Sequence, residues 1–210
     1  MALFFTAPII ARILMKTLSP LLPPSLHTGL VALLLLLSVS PAIPASSGAA
    51  PAAGTAPAAA GGTIRIIAGL SAPLTDEKGE KWLPSRDFLD GDTMDRPELS
   101  IANTKIPSVY RSERFGMTRF VRRIPNGNYL VKLHFAVTYE GIEGPRQCVF
   151  SFDVEGRAFK DFDLFVRAGG ALKAYVESIP VAIRDGDLEI KFTGLAGNPT
   201  ISAIEIVPQP

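Results

Sequence analysis

Between residues 129 and 137 the chain alternates Tyr129, Val131, Leu133, Phe135 and Val137 with Leu130, Lys132, His134 and Ala136. Successive side chains of a strand point to opposite faces, so this period of two predicts a strand with one buried face. Asn126-Gly127 just ahead predicts a tight turn, because both residues tolerate positive φ. A second alternating run follows in Cys148, Phe150, Phe152 and Val154. Shorter runs predict strands at 63–68, 109–115, 118–121, 149–154, 160–164, 174–181, 188–192 and 201–207. Turn signals at Glu155-Gly156, Asp185-Gly186 and Gly197-Asn198-Pro199 separate several of them. Short strands at this spacing, without amphipathic helices between them, predict an all-β fold: a two-sheet antiparallel β-sandwich of jelly-roll type. One helical turn is expected around 97–101. Leu133, Phe135, Phe150 and Phe152 share the apolar phase of the two clearest strands and are the expected centre of the core.

The opening third does not share this pattern. Asp76 is the first acidic residue of a 210-residue chain, so the residues before it lack an ordinary globular surface. Arg12 and Lys16 precede the apolar run 29–37, and small residues follow at Ala42, Ala45 and Ser46. That order predicts a secretory signal peptide over 1–45. The run is about half of the ~20 residues that span a bilayer, so a retained anchor is the weaker reading and no membrane span is expected in the mature form. Met15-Lys16 offers a better start, which would make 1–14 an extension. Residues 46–62 are almost entirely Ala, Gly, Pro, Ser and Thr, with nothing large to bury, and read as a disordered linker. Residues 63–208 then form one domain, large enough for its own core. Export to the periplasm, cell surface or medium follows.

Charge removes one class of partner. Without Arg12 and Lys16 the domain keeps 19 of the 21 basic residues against all 20 acidic ones, a net formal charge of −1. Such a domain has no electrostatic footprint for nucleic acid. The one basic concentration, Arg111, Arg114, Arg119, Arg122 and Arg123, reads as solvated strand faces and ion pairs rather than an anion patch.

Candidate chemistry is sparse. His134, on the polar phase of its strand, reads as a surface or cross-strand residue. Cys148, on an apolar phase with no second cysteine to pair with, reads as a buried thiol. No cluster has zinc-site spacing, and no nucleophile elbow accompanies His134. Asp90 with Asp92, Asp161 with Asp163 and Asp185 with Asp187 are i, i+2 pairs that in turns could hold a structural calcium; otherwise no cofactor is expected. A glycosidase would need two carboxylates facing one cleft.

Several stretches are more telling in their wording: Tyr-Arg-Ser-Glu-Arg-Phe-Gly at 110–116, Pro-Asn-Gly-Asn-Tyr at 125–129, Leu-His-Phe-Ala at 133–136, Lys-Asp-Phe-Asp at 160–163, and Asn198-Pro199 before the strand at 201–206. In this order they resemble the malectin family of carbohydrate-binding domains over about 64–207. The resemblance implies a ligand site at one end of the sandwich, where aromatics and an acidic residue bind glucose-containing oligosaccharides. Tyr139 matches a ligand-contacting tyrosine of that family, and Phe115 stands where it has another. Glu140 stands where it has an aromatic, and Gly197, next to Asn198, where it has its acid. Phe88, in the loop between Trp82 and Gly91, is the match for a third aromatic.

The expected function is that of an exported, non-catalytic, lectin-like module binding a neutral or amino-sugar oligosaccharide through Tyr139, Phe115, Glu140, Phe88 and Asn198. Stacking aromatics with polar neighbours suit the apolar C–H face and the hydroxyls of a pyranose. The alternative is a structural or protein-interaction sandwich that has lost the sugar site, with a glycoside hydrolase third.

Overall fold

The computed structural model describes residues 61–210. The signal peptide expected over 1–45, and nearly all of the linker expected over 46–62, lie outside the described residues.

Thirteen strands make three sheets among the described residues. The largest contains β1 (Ile64–Ile67), β2 (Leu74–Thr75), β3 (Lys81–Pro84), β7 (Gly127–Phe135), β10 (Tyr175–Ile183) and β13 (Ala203–Gln209), in the order β10-β7-β13-β1-β3-β2. A four-stranded sheet contains β6 (Arg119–Arg123), β8 (Val149–Val154), β9 (Arg157–Asp163) and β11 (Asp187–Ala196), in the order β6-β11-β8-β9. A small third sheet joins β4 (Asp92–Asp95), β5 (Ser112–Phe115) and β12 (Thr200–Ile201). All pairings are antiparallel except β1 with β3, which run parallel. That pair departs from the wholly antiparallel expectation.

The main core lies between the two larger sheets. Val131, Leu133 and Phe135 of β7 and Ile204 and Ile206 of β13 face Phe150, Phe152 and Val154 of β8 and Ile190 of β11, all buried. Phe135, Phe150, Phe152 and Phe162 form one cluster, with ring centroids 5.1–6.2 Å apart. The four residues expected at the core centre are therefore there.

A second, smaller core covers the other face of the large sheet. Trp82, Ile101, Val109 and Tyr110 pack over Ile67, Ala136 and Ala203. This corrects the expectation for His134: it is on the outward phase of β7, yet it is only 5% exposed. Trp82 meets its ring edge-on at 5.4 Å, and Nδ1 shares a 2.8 Å hydrogen bond with the Tyr110 hydroxyl. Cross-strand Ala203 leaves room for the imidazole. Burial pulls the His134 pKa down to about 4, with Lys132 adding to the effect and Glu205 opposing it.

Four further differences have local causes. In place of the helical turn expected at 97–101 there is a single hydrogen-bonded turn, Leu99 N to Arg96 O at 3.1 Å, and a 3-10 turn lies further on at Pro107–Tyr110, with the proline in its first turn, where a missing N–H costs nothing. This takes Val109 and Tyr110 out of the strand expected at 109–115. An α-helical turn, Leu164–Ala168, follows β9; the Asp163 carboxylate caps it and Gly169 ends it in the left-handed region. The strand expected at 201–207 is two, β12 and β13. Finally, β2, β3 and β4 were not predicted.

Candidate functional site

At one pole of the sandwich the loops enclose a cleft of about 430 Å³, within the range of small-ligand pockets. Met94 of β4, Glu113 and Phe115 of β5, and the segment leaving β7 through Val137, Thr138 and Tyr139 form its walls. Gly141 and Ile142 of the next turn, Gln147 and Cys148 ahead of β8, and Gly197 and Asn198 ahead of β12 add to them. Antiparallel pairing of Thr200 with Phe115, and a 2.9 Å bond from Gly116 N to Pro199 O, zip two loops together and set Asn198 beside Phe115. Gln147 Oε1 accepts from Glu143 N at 2.7 Å and Gly144 N at 3.2 Å, fixing the third loop.

Three of the five expected site residues thus converge: Tyr139, Phe115 and Asn198. Tyr139, four residues past the end of β7, is 57% exposed, and Phe115 is half-buried. Glu140 is exposed next to Tyr139 but is not among the lining residues. Phe88 is elsewhere. Its ring packs edge-on against Phe120 at 4.9 Å, and the Arg114 guanidinium covers it at 5.0 Å. Arg114 also donates to the carbonyls of Ala68, Asp90 and Gly91, so it staples the 88–91 loop in place.

Gly197 explains one departure from the family pattern. Its φ is +77°, and a Cβ there would lie 2.7 Å from the Gln147 carbonyl oxygen. Any side chain at this position would strain the backbone and collide with that carbonyl.

The acid of this cleft comes instead from β5. Glu113, 4% exposed, receives Arg96 Nη1 at 2.7 Å on one oxygen and the Thr200 hydroxyl at 2.6 Å on the other. Arg96 Nη1 also donates to Thr138 at 3.1 Å. Arg96, Glu113, Thr138 and Thr200 make a polar floor whose buried carboxylate is fully partnered, as burial demands. The sequence pattern did not single out Arg96 or Glu113. Glu113 lies within the Tyr-Arg-Ser-Glu-Arg-Phe-Gly stretch, and that an acid sits beside Phe115 in one strand was the available signal. Glu113→Gln is expected to lower the unfolding free energy by about 1–2 kcal/mol, since it strips the half-buried Arg96 of its counter-charge. Urea unfolding measures this, and a change below ~0.5 kcal/mol would mean that the pair contributes nothing.

Cys148 forms part of the cleft floor, but burial pushes its thiol pKa up to about 12, with Glu113 and Asp163 adding to the shift. It stays a protonated, unreactive group. The expected ion pairs account for two members of the arginine cluster: Arg119 with Glu189 and Arg122 with Asp87. The carboxylate pairs serve local structure: Asp90 accepts twice from Thr118, Asp163 caps the helical turn, and Asp185 accepts from Asp187 N. Among the described residues, no three His, Cys, Asp or Glu side chains lie close enough to hold a metal ion, and no helix is long and apolar enough to cross a membrane.

Residues 63–204 match the sequence profile of the Malectin domain. The chain belongs to the malectin-domain family. Kinesin-like protein KIN-14E of Oryza sativa subsp. japonica is 30% identical over 152 residues, which are 66% of this chain and 14% of that protein. The malectin-like domain here thus spans about one seventh of that relative. Among solved structures, Bacteroides uniformis β-glucuronidase superposes with a TM-score of 0.64 at 15% identity, over 70% of this chain and 18% of the enzyme. The ANXUR2 extracellular domain from Arabidopsis thaliana gives 0.60 at 15% identity, over 69% of this chain and 48% of that one. The plant receptor-like kinase FER gives 0.60 at 17% identity, with the same coverage. These likenesses are of fold: a malectin-like β-sandwich also found in extracellular domains of plant receptor kinases.

Proposed function

We propose that this malectin-like domain is an exported, non-catalytic carbohydrate-binding module that takes a neutral or amino-sugar oligosaccharide in the polar cleft. The observation that carries the reading is the exposed Tyr139 ring at the mouth of a cleft that also holds Phe115, Asn198 and the Arg96–Glu113 floor. The ring offers a stacking face, while the floor and Asn198 offer donors and acceptors for hydroxyls. Glu113 is the one carboxylate among the lining residues, whereas glycoside hydrolysis ordinarily needs two across the scissile bond. This supports binding over catalysis.

A shallow site of this kind binds with a dissociation constant of about 10 μM to 1 mM. Tyr139→Ala is expected to remove most of the affinity, and Tyr139→Phe, which keeps the ring area, to remove less. Glu140, at the rim, favours an amino sugar, so Glu140→Gln should weaken that ligand most at low ionic strength. NMR titration with glucose, mannose, galactose and amino-sugar oligomers tests both. Shifts that persist unchanged in Tyr139→Ala would defeat the assignment. Intact-mass measurement of exported protein tests cleavage near Ala45.

A second reading has its own observation. FER, which shares this fold, has been solved in complex with the plant peptide RALF23 and LLG2. The same cleft or its rim would then hold a polypeptide, and absence of any sugar-induced shift at millimolar concentration would favour that role.

A further inference from the structure

The turn that carries Tyr139 is built around an absent side chain. Ile142 N donates to Tyr139 O at 3.1 Å, closing a four-residue turn from Tyr139 through Glu140 and Gly141. Ile142 packs against the main core and anchors the far end of that turn. The tyrosine ring folds back over the turn. A Cβ built on Gly141 would lie 2.6 Å from Cε1, 2.9 Å from Cζ and 3.0 Å from the hydroxyl oxygen of Tyr139. The hydroxyl-bearing edge of the ring therefore occupies the space that any other residue's side chain would fill.

Among the described residues, Tyr139 has no aromatic partner and its hydroxyl has no hydrogen bond. An aromatic side chain has only two torsions, so a Cβ at 141 is enough to close this rotamer to it. The backbone of Gly141 lies outside the left-handed region, so alanine fits there without backbone strain. A glycine is thus not needed for the turn itself. It is needed for the ring.

We propose that Gly141 is the positioning residue of the ligand cleft: by lacking a Cβ it lets the Tyr139 ring fold back over the turn, which sets the stacking face that the ligand meets. The inference rests on the sugar-site reading above and gives a role to a glycine in the wall of that cleft. Larger side chains at 141 swing the ring away from the turn while leaving the strand ends, the floor and the core unchanged.

The experiment uses Gly141→Ala, with the exposed Glu143→Ala as a control in the same loop. Without ligand, nuclear Overhauser contacts from the Tyr139 ring protons to the Gly141 α-protons are expected in the wild type. In Gly141→Ala the ring-proton shifts should change by more than in Glu143→Ala, with the melting temperature nearly unchanged. With glucose and glucosamine oligomers as probes, Gly141→Ala should weaken binding by about tenfold. In the Tyr139→Leu background, which has no ring to displace, it should cause no further loss. Unmoved ring shifts, wild-type affinity in Gly141→Ala, or an equal loss in the Tyr139→Leu background would each overturn the proposal. If instead Tyr139→Ala itself binds as the wild type does, the sugar-site reading has failed, and the positioning role falls with it.

Discussion

Phe150→Ala is expected to lower the unfolding free energy by about 3–5 kcal/mol, a large share of the ~5–15 kcal/mol typical of one domain. The side chain is wholly buried at the centre of the sandwich, and its ring lies 5.4 Å from that of Phe162, 6.0 Å from Phe135 and 6.2 Å from Phe152. Those neighbours come from three strands, β7, β8 and β9, so they cannot all collapse into the vacated volume. The cost therefore includes a cavity as well as lost transfer energy. Denaturant unfolding followed by near-ultraviolet dichroism measures it, with the exposed Val166→Ala as a control expected within ~0.5 kcal/mol. A loss below ~1 kcal/mol would mean that the two sheets do not pack as described.

The second large effect is acid destabilisation through His134. Unfolded, the imidazole titrates near 6.5; folded, burial holds it down to about 4. Above pH 6.5 both states are neutral and stability does not depend on this group. As pH falls from 6.5 to 4 the unfolded state takes up the proton first, and stability drops by about 1.4 kcal/mol per unit, or roughly 3 kcal/mol in all. Below pH 4 both states are protonated and this contribution levels off. Trp82 and Tyr110 press on the ring, Nε2 is buried without a hydrogen-bond partner, and Lys132 and Glu205, which pair with each other, are the charged groups that bear on it. His134→Gln should flatten the stability profile between pH 6.5 and 4 while leaving any carboxylate-linked loss at lower pH. An unchanged slope in that variant would assign the acid sensitivity elsewhere.

How much of this was legible in the sequence depended on the length and sidedness of each element. β7 and β8 were plain, because nine and six residues give alternation room to show, and Asn126-Gly127 marks the turn before β7. β2 has two residues, and all four residues of β4 are exposed, so neither carries a periodic signal. The misreading of His134 has a tertiary cause. Period two separates the faces of a strand but does not say whether something folds over the outer one, and here Trp82 and the 3-10 turn do. The helical turn after β9 did have its punctuation, Asp163 before and Gly169 after, but five residues are too few for a helical period.

The site divided in the same way. Tyr139, Phe115 and Asn198 were reachable through the family resemblance, which carries loop positions that periodicity cannot. Phe88 was not separable from a core aromatic, because a ring in a loop has the same sequence signature whether it faces a ligand or Phe120. Arg96 and Glu113 were hidden for another reason. Both Ser112 and Glu113 of β5 are buried, so adjacent residues on opposite faces are covered and no polar phase stands out.

Strands β1 and β13 open and close the domain and lie hydrogen-bonded side by side, with Ile64 opposite Ile206. β13 also runs against β7, with Ala203 beside His134 and Gln209 beside Asn128. Since β7 heads from Asn128 towards Tyr139, the cleft occupies one pole and both ends of the domain point to the other. The mouth of the cleft thus lies at the pole away from both the first and the last strand of the domain.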